Sequence, residues 1–185
     1  YDLSFSRILI GKKFLKKKKK IIKLKLFSNN SNRIPLPDNS IDIVTSCHAL
    51  EPNKKGANKI LKELWRISKK KLILLEPNNQ LGDKLIKKRF KENNYILDLE
   101  KKIKKITSRY KIINNEFNFN PLNPASIFIL EKNSNKSNEF NFLNPENNND
   151  ILKKKLNFYY SEKTGQIFPI VDDIVIFNKN EVYAL

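Results

Sequence analysis

Short apolar runs with the composition of buried strands alternate with helix-forming segments along the first 132 residues of this 185-residue chain. Residues 41–45 are rich in β-branched side chains, and residues 72–75 are continuously apolar, as is typical of a strand covered on both faces of a parallel sheet. Between them, residues 55–68 repeat apolar side chains at helical spacing. Since strands that alternate with helices are joined by right-handed crossovers, the pattern predicts an α/β fold with a mostly parallel sheet.

Further periodic segments complete this predicted main domain. We expect helices over residues 4–20, 81–93 and 98–108, and strands over residues 21–27, 110–119 and 126–132. The last two strands are separated by a short connection that contains Pro121 and Pro124. A connection of that length favours antiparallel pairing, so the sheet is predicted to end in an antiparallel strand.

The composition changes after residue 132. Residues 133–150 are rich in asparagine and serine, which is typical of a linker. Short strands are predicted beyond it, over residues 156–160, 166–170 and 174–177, with turns at Thr164-Gly165 and Asp172-Asp173. The predicted organisation is therefore a main domain over residues 1–132, a linker, and a small β meander over residues 151–185. Because so small a meander is marginal alone, we expect it to pack on the main domain.

The formal net charge of +18 comes mainly from lysine. Arginine, which binds phosphate groups through two parallel hydrogen bonds, is scarce in this chain. Two interpretations stay open. The charge can reflect a polyanionic partner such as nucleic acid, or it can reflect the lysine, asparagine and isoleucine bias of an AT-rich genome.

Cysteine content and hydropathy narrow the class of protein. Cys47 is the sole cysteine, which excludes an internal disulfide and a cysteine-based zinc cluster. No apolar stretch approaches the roughly 20 residues that cross a bilayer, and the first residues lack a signal-peptide pattern. These features predict a folded cytoplasmic protein without a metal site. The absence of methionine predicts that residues precede Tyr1.

Three stretches, taken together, carry a family resemblance, and the first of them is Asp2-Leu3-Ser4. Residues 34–44 read Ile-Pro-Leu-Pro-Asp-Asn-Ser-Ile-Asp-Ile-Val, and residues 46–53 follow with Ser-Cys-His-Ala-Leu-Glu-Pro-Asn. An amphipathic helix over residues 60–67 and an apolar strand that ends in Glu76-Pro77 come next. In this order the segments resemble the class I S-adenosylmethionine-dependent methyltransferases of the type 11 kind, across residues 1–132.

The resemblance implies a Rossmann-like sheet and S-adenosylmethionine as the cofactor. Asp2 would end the second strand of that fold and accept hydrogen bonds from the ribose hydroxyls. Asn30 would accept one from the adenine amino group, and Ser46 would lie on the turn beside the cofactor. The family's glycine-rich first loop has no counterpart among four scattered glycines. The first strand is therefore expected to lie upstream of Tyr1, and this chain alone is expected to show little or no activity.

The candidate catalytic group is His48, the sole histidine, because an imidazole is a suitable general base near neutral pH. A structural role in its own turn is the favoured alternative, since the sequence shows no partner for it. Cys47 is expected to be a buried apolar residue. For Glu51 and for Glu76, the sequence leaves two roles open: a structural role, or a role in contact with the substrate.

The C-terminal region carries a second resemblance. Residues 160–174, with Thr164-Gly165 and Phe168-Pro169-Ile170, resemble a segment of a small zinc-ribbon-related domain that activates certain tRNA and protein methyltransferases. The cysteines of that domain are missing here, so no zinc role is expected. The resemblance implies a structural clasp or a wall on the substrate side.

The predicted function is the transfer of a methyl group to a small-molecule or glycan acceptor. RNA is a second candidate acceptor, because of the charge and the resemblance of the tail. A non-catalytic basic module that binds nucleic acid is the alternative from another class. That alternative accounts for the lysines but leaves the ordered segment over residues 34–53 without an explanation.

Overall fold

A computed structural model of the chain describes residues 1–17, 24–30, 32–114 and 123–178. The chain divides into two compact units. The terminal unit consists of Tyr1–Pro37 together with Phe140–Leu185, and the central unit is Asp38–Glu139. This division differs from the predicted boundaries at residues 132 and 150, which stay a prediction.

The described helices and strands follow the predicted alternation. In chain order they are α1 (Phe5–Lys17), β1 (Leu26–Ser28), β2 (Ile41–Cys47), α2 (Ala57–Ile67), β3 (Ser68–Pro77), α3 (Lys84–Glu92), α4 (Leu99–Lys104), β4 (Tyr110–Asn114), β5 (Ala125–Glu131), β6 (Leu143–Asn144), β7 (Asn147–Ile151), β8 (Lys153–Lys154), β9 (Phe158–Tyr160), β10 (Ile167–Val171) and β11 (Ile174–Ile176). Short 3₁₀ turns lie at Glu51–Asn53 and Asn79–Leu81. The predictions for residues 18–23 and 115–119 fall outside the described residues.

The described strands of the central unit form one sheet of four, in the order β2-β3-β5-β4. β2 and β3 are parallel, with Val44 opposite Leu72. β5 lies between β3 and β4 and is antiparallel to both, which confirms the predicted pairing of the last two strands. The α/β class is therefore correct. The predominance of parallel pairs is wrong for this sheet, because the insertion of one reversed strand makes two of its described pairings antiparallel.

Apolar burial explains why these central elements form. Leu72 and Leu74 of β3 are fully buried, and α2 buries the stripe expected from its period, namely Ile60, Leu61, Leu64 and Ile67. Each such side chain contributes about 1.5–3 kcal/mol when removed from water. Lys132 binds the C-terminal end of α2. Its Nζ donates to the Trp65 carbonyl at 2.7 Å, and a cation at this end of a helix interacts favourably with the helix dipole.

In the part of the terminal unit that the structure describes, five strands form a sheet in the order β1-β11-β10-β9-β8. The strands β8 to β11 pair antiparallel with their neighbours in sequence, so the predicted meander is present. β1 joins its edge in parallel, with Leu26 opposite Ile174. The meander thus obtains the support that it was predicted to need, from a strand near the N-terminus.

Regular structure is present within residues 133–150, whose role as a linker stays a prediction. The last part of this segment forms β6 and most of β7, which pair in a hairpin. Phe142 packs edge-on against Phe27 of β1, with ring centroids 5.4 Å apart. Asparagine-rich composition was misleading here, because Asn144 is fully buried and hydrogen-bonded instead of solvated.

Among the described residues, no helix has the length and apolar composition needed to cross a membrane. The predicted cytoplasmic location stays a prediction.

Candidate functional site

One buried carboxylate organises the turn that follows β2. Glu76, at the end of β3, accepts hydrogen bonds from the backbone N–H groups of Ala49 at 3.0 Å, Leu50 at 3.2 Å and Glu51 at 3.3 Å. It also accepts one from the Ser46 hydroxyl at 3.0 Å. The carboxyl ends of two adjacent parallel strands are therefore joined through a single side chain.

Glu76 is buried away from solvent. The residue is 1% exposed. Burial raises the pKa of its carboxyl above the ordinary value, while the hydrogen bonds from Leu50, Ala49 and Ser46 act in the opposite direction. Of the two roles left open for Glu76, the structure shows a structural one, because its oxygens are occupied by the turn.

His48 begins this turn in a left-handed backbone conformation, with φ of 50°. Its backbone N–H donates to the Leu75 carbonyl at 2.9 Å, which continues the β2–β3 pairing by one residue. Its Nδ1 lies 3.1 Å from Oε2 of Glu51. The histidine side chain is 41% exposed and that of Glu51 is 11% exposed. His48 therefore has a carboxylate partner and keeps access to solvent.

Asn123 holds the other oxygen of Glu51. Its Nδ2 donates to Glu51 Oε1 at 3.1 Å, which determines the orientation of the Asn123 amide. The Oδ1 atom of Asn123 is buried, and within the described residues it has no hydrogen-bond partner. Sequence reasoning did not find this contact, because Asn123 stands 72 residues from Glu51 in a proline-rich connection that carries no motif.

Cys47 departs from its prediction. The thiol is exposed instead of buried, since Cys47 ends β2, the strand at the edge of the described central sheet. Partial desolvation, and then the nearby Glu76, raise the pKa of the thiol. The thiolate that would act as a nucleophile is therefore disfavoured at neutral pH.

The other predicted positions, Asp2 and Asn30, lie in the terminal unit. Asp2 forms a parallel bridge with Ser28, and its carbonyl accepts the Asn29 N–H at 3.1 Å. Its Oδ1 accepts the Ser4 N–H at 2.8 Å, while Oδ2 is 4.0 Å from an Arg7 nitrogen. The Asp2 carboxylate thus lies at the start of α1, and among the described residues its Oδ2 atom has only the distant contact with Arg7.

Asn30 follows β1 by two residues, beside the strand position that pairs with Asp2. Its Oδ1 accepts the Asn32 N–H at 2.9 Å, which closes a small turn. The same oxygen has a second lone pair for a further donor. The structure brings Asp2 and Asn30 to neighbouring strand ends of one unit. Ser46 belongs to the central unit, and the convergence of all three positions stays a prediction.

Comparison with protein families gives one match. Residues 1–75 match the profile of a family described as "Methyltransferase domain". The match ends at Leu75, so it includes Asp2, Asn30, Ser46 and His48 but not Glu76 or Asn123. A comparison with curated protein sequences finds no significant match.

Two solved structures that are similar to this chain in fold are described as methyltransferases. A SAM-dependent methyltransferase from Methanosarcina mazei is 17% identical, with a TM-score of 0.55 over 71% of this chain and 79% of that one. A putative methyltransferase from Bacillus halodurans is 11% identical, with a TM-score of 0.51 over 72% of this chain and 81% of that one. The fold is that of a methyltransferase.

Ligands of open α/β sheets bind outside the carboxyl ends of the strands. In the central unit of this methyltransferase fold, the carboxyl ends of β2 and β3 carry Ser46, His48, Glu51 and Glu76. This edge is the candidate functional site. It combines a rigid turn, an exposed imidazole and a partly buried carboxylate.

Proposed function

We propose that this protein is an S-adenosylmethionine-dependent methyltransferase. The family profile over residues 1–75 and the fold of the solved methyltransferases support this proposal. The observation that carries it is the edge of the central sheet, where a turn held by Glu76 presents His48 at the end of β2. A basic nucleic-acid-binding module has no need of this turn.

S-adenosylmethionine would supply the methyl group, bound to a positively charged sulfur, and the protein would supply alignment. We propose Asp2, Asn30 and Ser46 as cofactor-binding residues. The donor and acceptor chemistry of each fits that role. Asp2 keeps an oxygen for a ribose hydroxyl and Asn30 keeps a lone pair for the adenine amino group. The proton of the Ser46 hydroxyl is directed at Glu76, so Ser46 can serve only as an acceptor.

Cofactor binding tests the proposal directly. Isothermal titration calorimetry with S-adenosylmethionine and S-adenosylhomocysteine should show binding to the natural polypeptide that contains this sequence. Asp2→Ala should weaken binding about 10- to 100-fold, because a hydrogen bond to a charged acceptor contributes about 1.5–3 kcal/mol. Asp42→Ala is the matched control, since Asp42 is an exposed carboxylate on β2 that pairs with Lys70 at 3.1 Å. Absence of binding to both compounds would contradict the proposed function.

We propose a small molecule or a glycan as the acceptor, from the sequence resemblance. RNA is the second candidate, and α3 is the observation that favours it. Lys84, Lys87, Lys88 and Lys91 are exposed on one short helix, and of these Lys88 forms a pair with Glu92 at 3.7 Å. RNA binding would weaken steeply with salt, in proportion to the phosphates contacted. A fluorescence titration with random-sequence RNA at two salt concentrations separates the two acceptors.

We propose that the C-terminal element is a cysteine-free relative of the zinc-ribbon-related domain. A partly buried network supports this proposal. Asn144, Asp150, Ser161, Thr164 and Gln166 are joined by hydrogen bonds between their side chains, at the turns that connect the short strands. Such a network can hold two turns together without a metal ion. Retention of the folded state in a chelator, measured by circular dichroism, tests this proposal.

A further inference from the structure

We propose that His48 is the general base of the reaction, that Glu51 and Asn123 are its positioning residues, and that the acceptor is a neutral hydroxyl compound. The proposal deepens the proposed methyltransferase function and rests on it. The three residues come from two separate regions of the central unit, and the Glu51 carboxylate joins them, with Oε1 accepting from Asn123 Nδ2 and Oε2 accepting from His48 Nδ1. A histidine oriented by a carboxylate is the arrangement that makes imidazole an effective base.

The partner of His48 determines which ring nitrogen carries the proton. An ionised carboxylate can only accept hydrogen bonds, so Nδ1 must donate to Glu51. The opposite nitrogen, Nε2, is left with its lone pair. Within the described part of the chain Nε2 forms no hydrogen bond, and the ring is 41% exposed. The basic nitrogen therefore lies on the side of the ring opposite its carboxylate partner, in a side chain that is 41% exposed.

The rest of the turn keeps this geometry rigid. Glu76 accepts the backbone N–H groups of Ala49, Leu50 and Glu51, so the segment between the histidine and its carboxylate is pinned to β3. The left-handed φ of 50° at His48 costs about 1–3 kcal/mol for a residue other than glycine. Asn123 adds a buried oxygen that is unpartnered among the described residues, at a cost of similar size. The strained backbone at His48 and this oxygen of Asn123 therefore both lie close to the exposed imidazole.

The chemistry balances with this assignment. A lone pair on the acceptor oxygen attacks the methyl carbon, and a C–O bond forms. The C–S bond breaks with its electron pair returning to sulfur, which removes the positive charge of the sulfonium. The proton of the hydroxyl goes to Nε2 of His48, and the imidazolium is stabilised by Glu51. The exposed ring then releases this proton to water. A hydroxyl needs such a base because it is not ionised near neutral pH, whereas a thiolate or an unprotonated amine does not.

Two measurements on His48 test the proposal without an acceptor. Nitrogen-15 NMR identifies the ring tautomer, with the signal assigned by its loss in His48→Gln. Wild-type protein should show the Nδ1–H tautomer, and Glu51→Gln should shift it towards Nε2–H. Acylation by diethyl pyrocarbonate, which attacks the bare ring nitrogen, should be several-fold slower in Glu51→Gln. Glu92→Gln is the matched control, because it removes an exposed carboxylate from an ion pair on α3. An Nε2–H tautomer in the wild type overturns the proposal.

Methyl transfer then tests the acceptor class. The natural polypeptide is incubated with tritiated S-adenosylmethionine and with panels of monosaccharides, phenols, thiols and amines. Label should enter hydroxyl compounds. His48→Gln should lower kcat about 10²-fold or more, with the calorimetric affinity for S-adenosylhomocysteine unchanged. Added imidazole should restore part of the activity of His48→Ala, which a purely structural histidine would not allow.

The possible failures are distinguishable. Loss of cofactor binding in the wild type contradicts the proposed function itself. Cofactor binding with label in thiols or amines alone, or with no label in any panel, overturns the hydroxyl acceptor. Label in hydroxyl compounds with an unchanged kcat in His48→Gln overturns the role of His48 as the base.

Discussion

Among the described residues two carboxylates are buried, one in each unit, and they are held in different ways. Glu76 of the central unit is 1% exposed and Asp150 of the terminal unit is 2% exposed. Glu76 binds mostly backbone N–H groups, those of Ala49, Leu50 and Glu51. Asp150 binds side chains, with its Oδ2 accepting from Asn144 at 3.0 Å and from Ser161 at 2.5 Å.

The difference concerns how easily each contact can be replaced. Backbone N–H groups in a tight turn have fixed directions, so they stay unsatisfied and buried when their acceptor is removed. Hydroxyl and amide side chains can rotate to another partner. Asn144 already has Gln166 Oε1 at 2.7 Å and Thr164 Oγ1 at 3.3 Å within reach. A rigid turn is suited to hold a catalytic group in place. A network of side chains that can exchange hydrogen-bond partners is suited to a structural role.

The largest effect is expected at Glu76. Replacement by alanine should lower the free energy of unfolding by about 3–5 kcal/mol, because three N–H groups and one hydroxyl lose a charged buried acceptor. Urea denaturation measures this change. The control is Glu131→Ala, which removes a half-exposed carboxylate from the neighbouring strand β5. Equal losses in the two variants would contradict the assigned role of Glu76.

Asp150→Asn should cost less, about 1–2 kcal/mol. Ser161 and Asn144 exchange a shared carboxylate oxygen for an amide oxygen, which is a weaker acceptor, and Thr164 and Gln166 offer others in the same network. The same urea titration applies, followed by tyrosine fluorescence of the terminal unit. A loss of unfolding free energy as large as that of Glu76→Ala would contradict the distinction between backbone partners with fixed directions and side-chain partners that can rotate.

Lys132 tests the converse case, a charged donor bound to backbone carbonyls. Its Nζ donates to Trp65 O at 2.7 Å and to Arg66 O at 3.4 Å, and it lies 5.0 Å from the Trp65 ring. Partial burial lowers its pKa, so part of the gain at the helix end is offset. Lys132→Met should therefore cost about 1 kcal/mol, by thermal denaturation. Lys111→Met, exposed on β4, should change little, and a matching loss there would rule out the helix-end contact.

The pH dependence of stability sharpens the account of Glu76. Burial raises the pKa of Glu76 in the folded state above the ordinary 4.5, so the folded protein binds this proton more tightly than the unfolded chain does. The stability that comes from this tighter proton binding is fully present below pH 4.5. The contribution is lost as pH rises through the raised folded pKa. The wild type should therefore lose stability relative to Glu76→Gln as pH increases from about 4.5. Melting temperatures at a series of pH values measure this trend. A difference that stays constant, or that grows in favour of the wild type, would show that the N–H groups outweigh burial.

Local periodicity in the sequence was sufficient to determine most helices and strands. The stripe of α2 and the apolar run of β3 are each read within a few residues, because a helix or a strand repeats its direction over that distance. The candidate residues Asp2, Asn30 and Ser46 came from the resemblance of separate stretches to the methyltransferase family, and His48 was chosen as the sole histidine. The fold comparison supports that resemblance.

Tertiary structure alone decided which distant segments meet. β1 pairs with β11 although 148 positions separate Leu26 from Ile174, and β5 inserts between β3 and β4. Glu76 reaches a turn 25 to 27 residues away, and Asn123 reaches Glu51 across 72 residues. No short-range pattern records such contacts, since each depends on hydrogen-bond groups that become neighbours only after the sheets assemble. The partner of His48 became visible for the same reason, once a turn had placed Glu51 beside it.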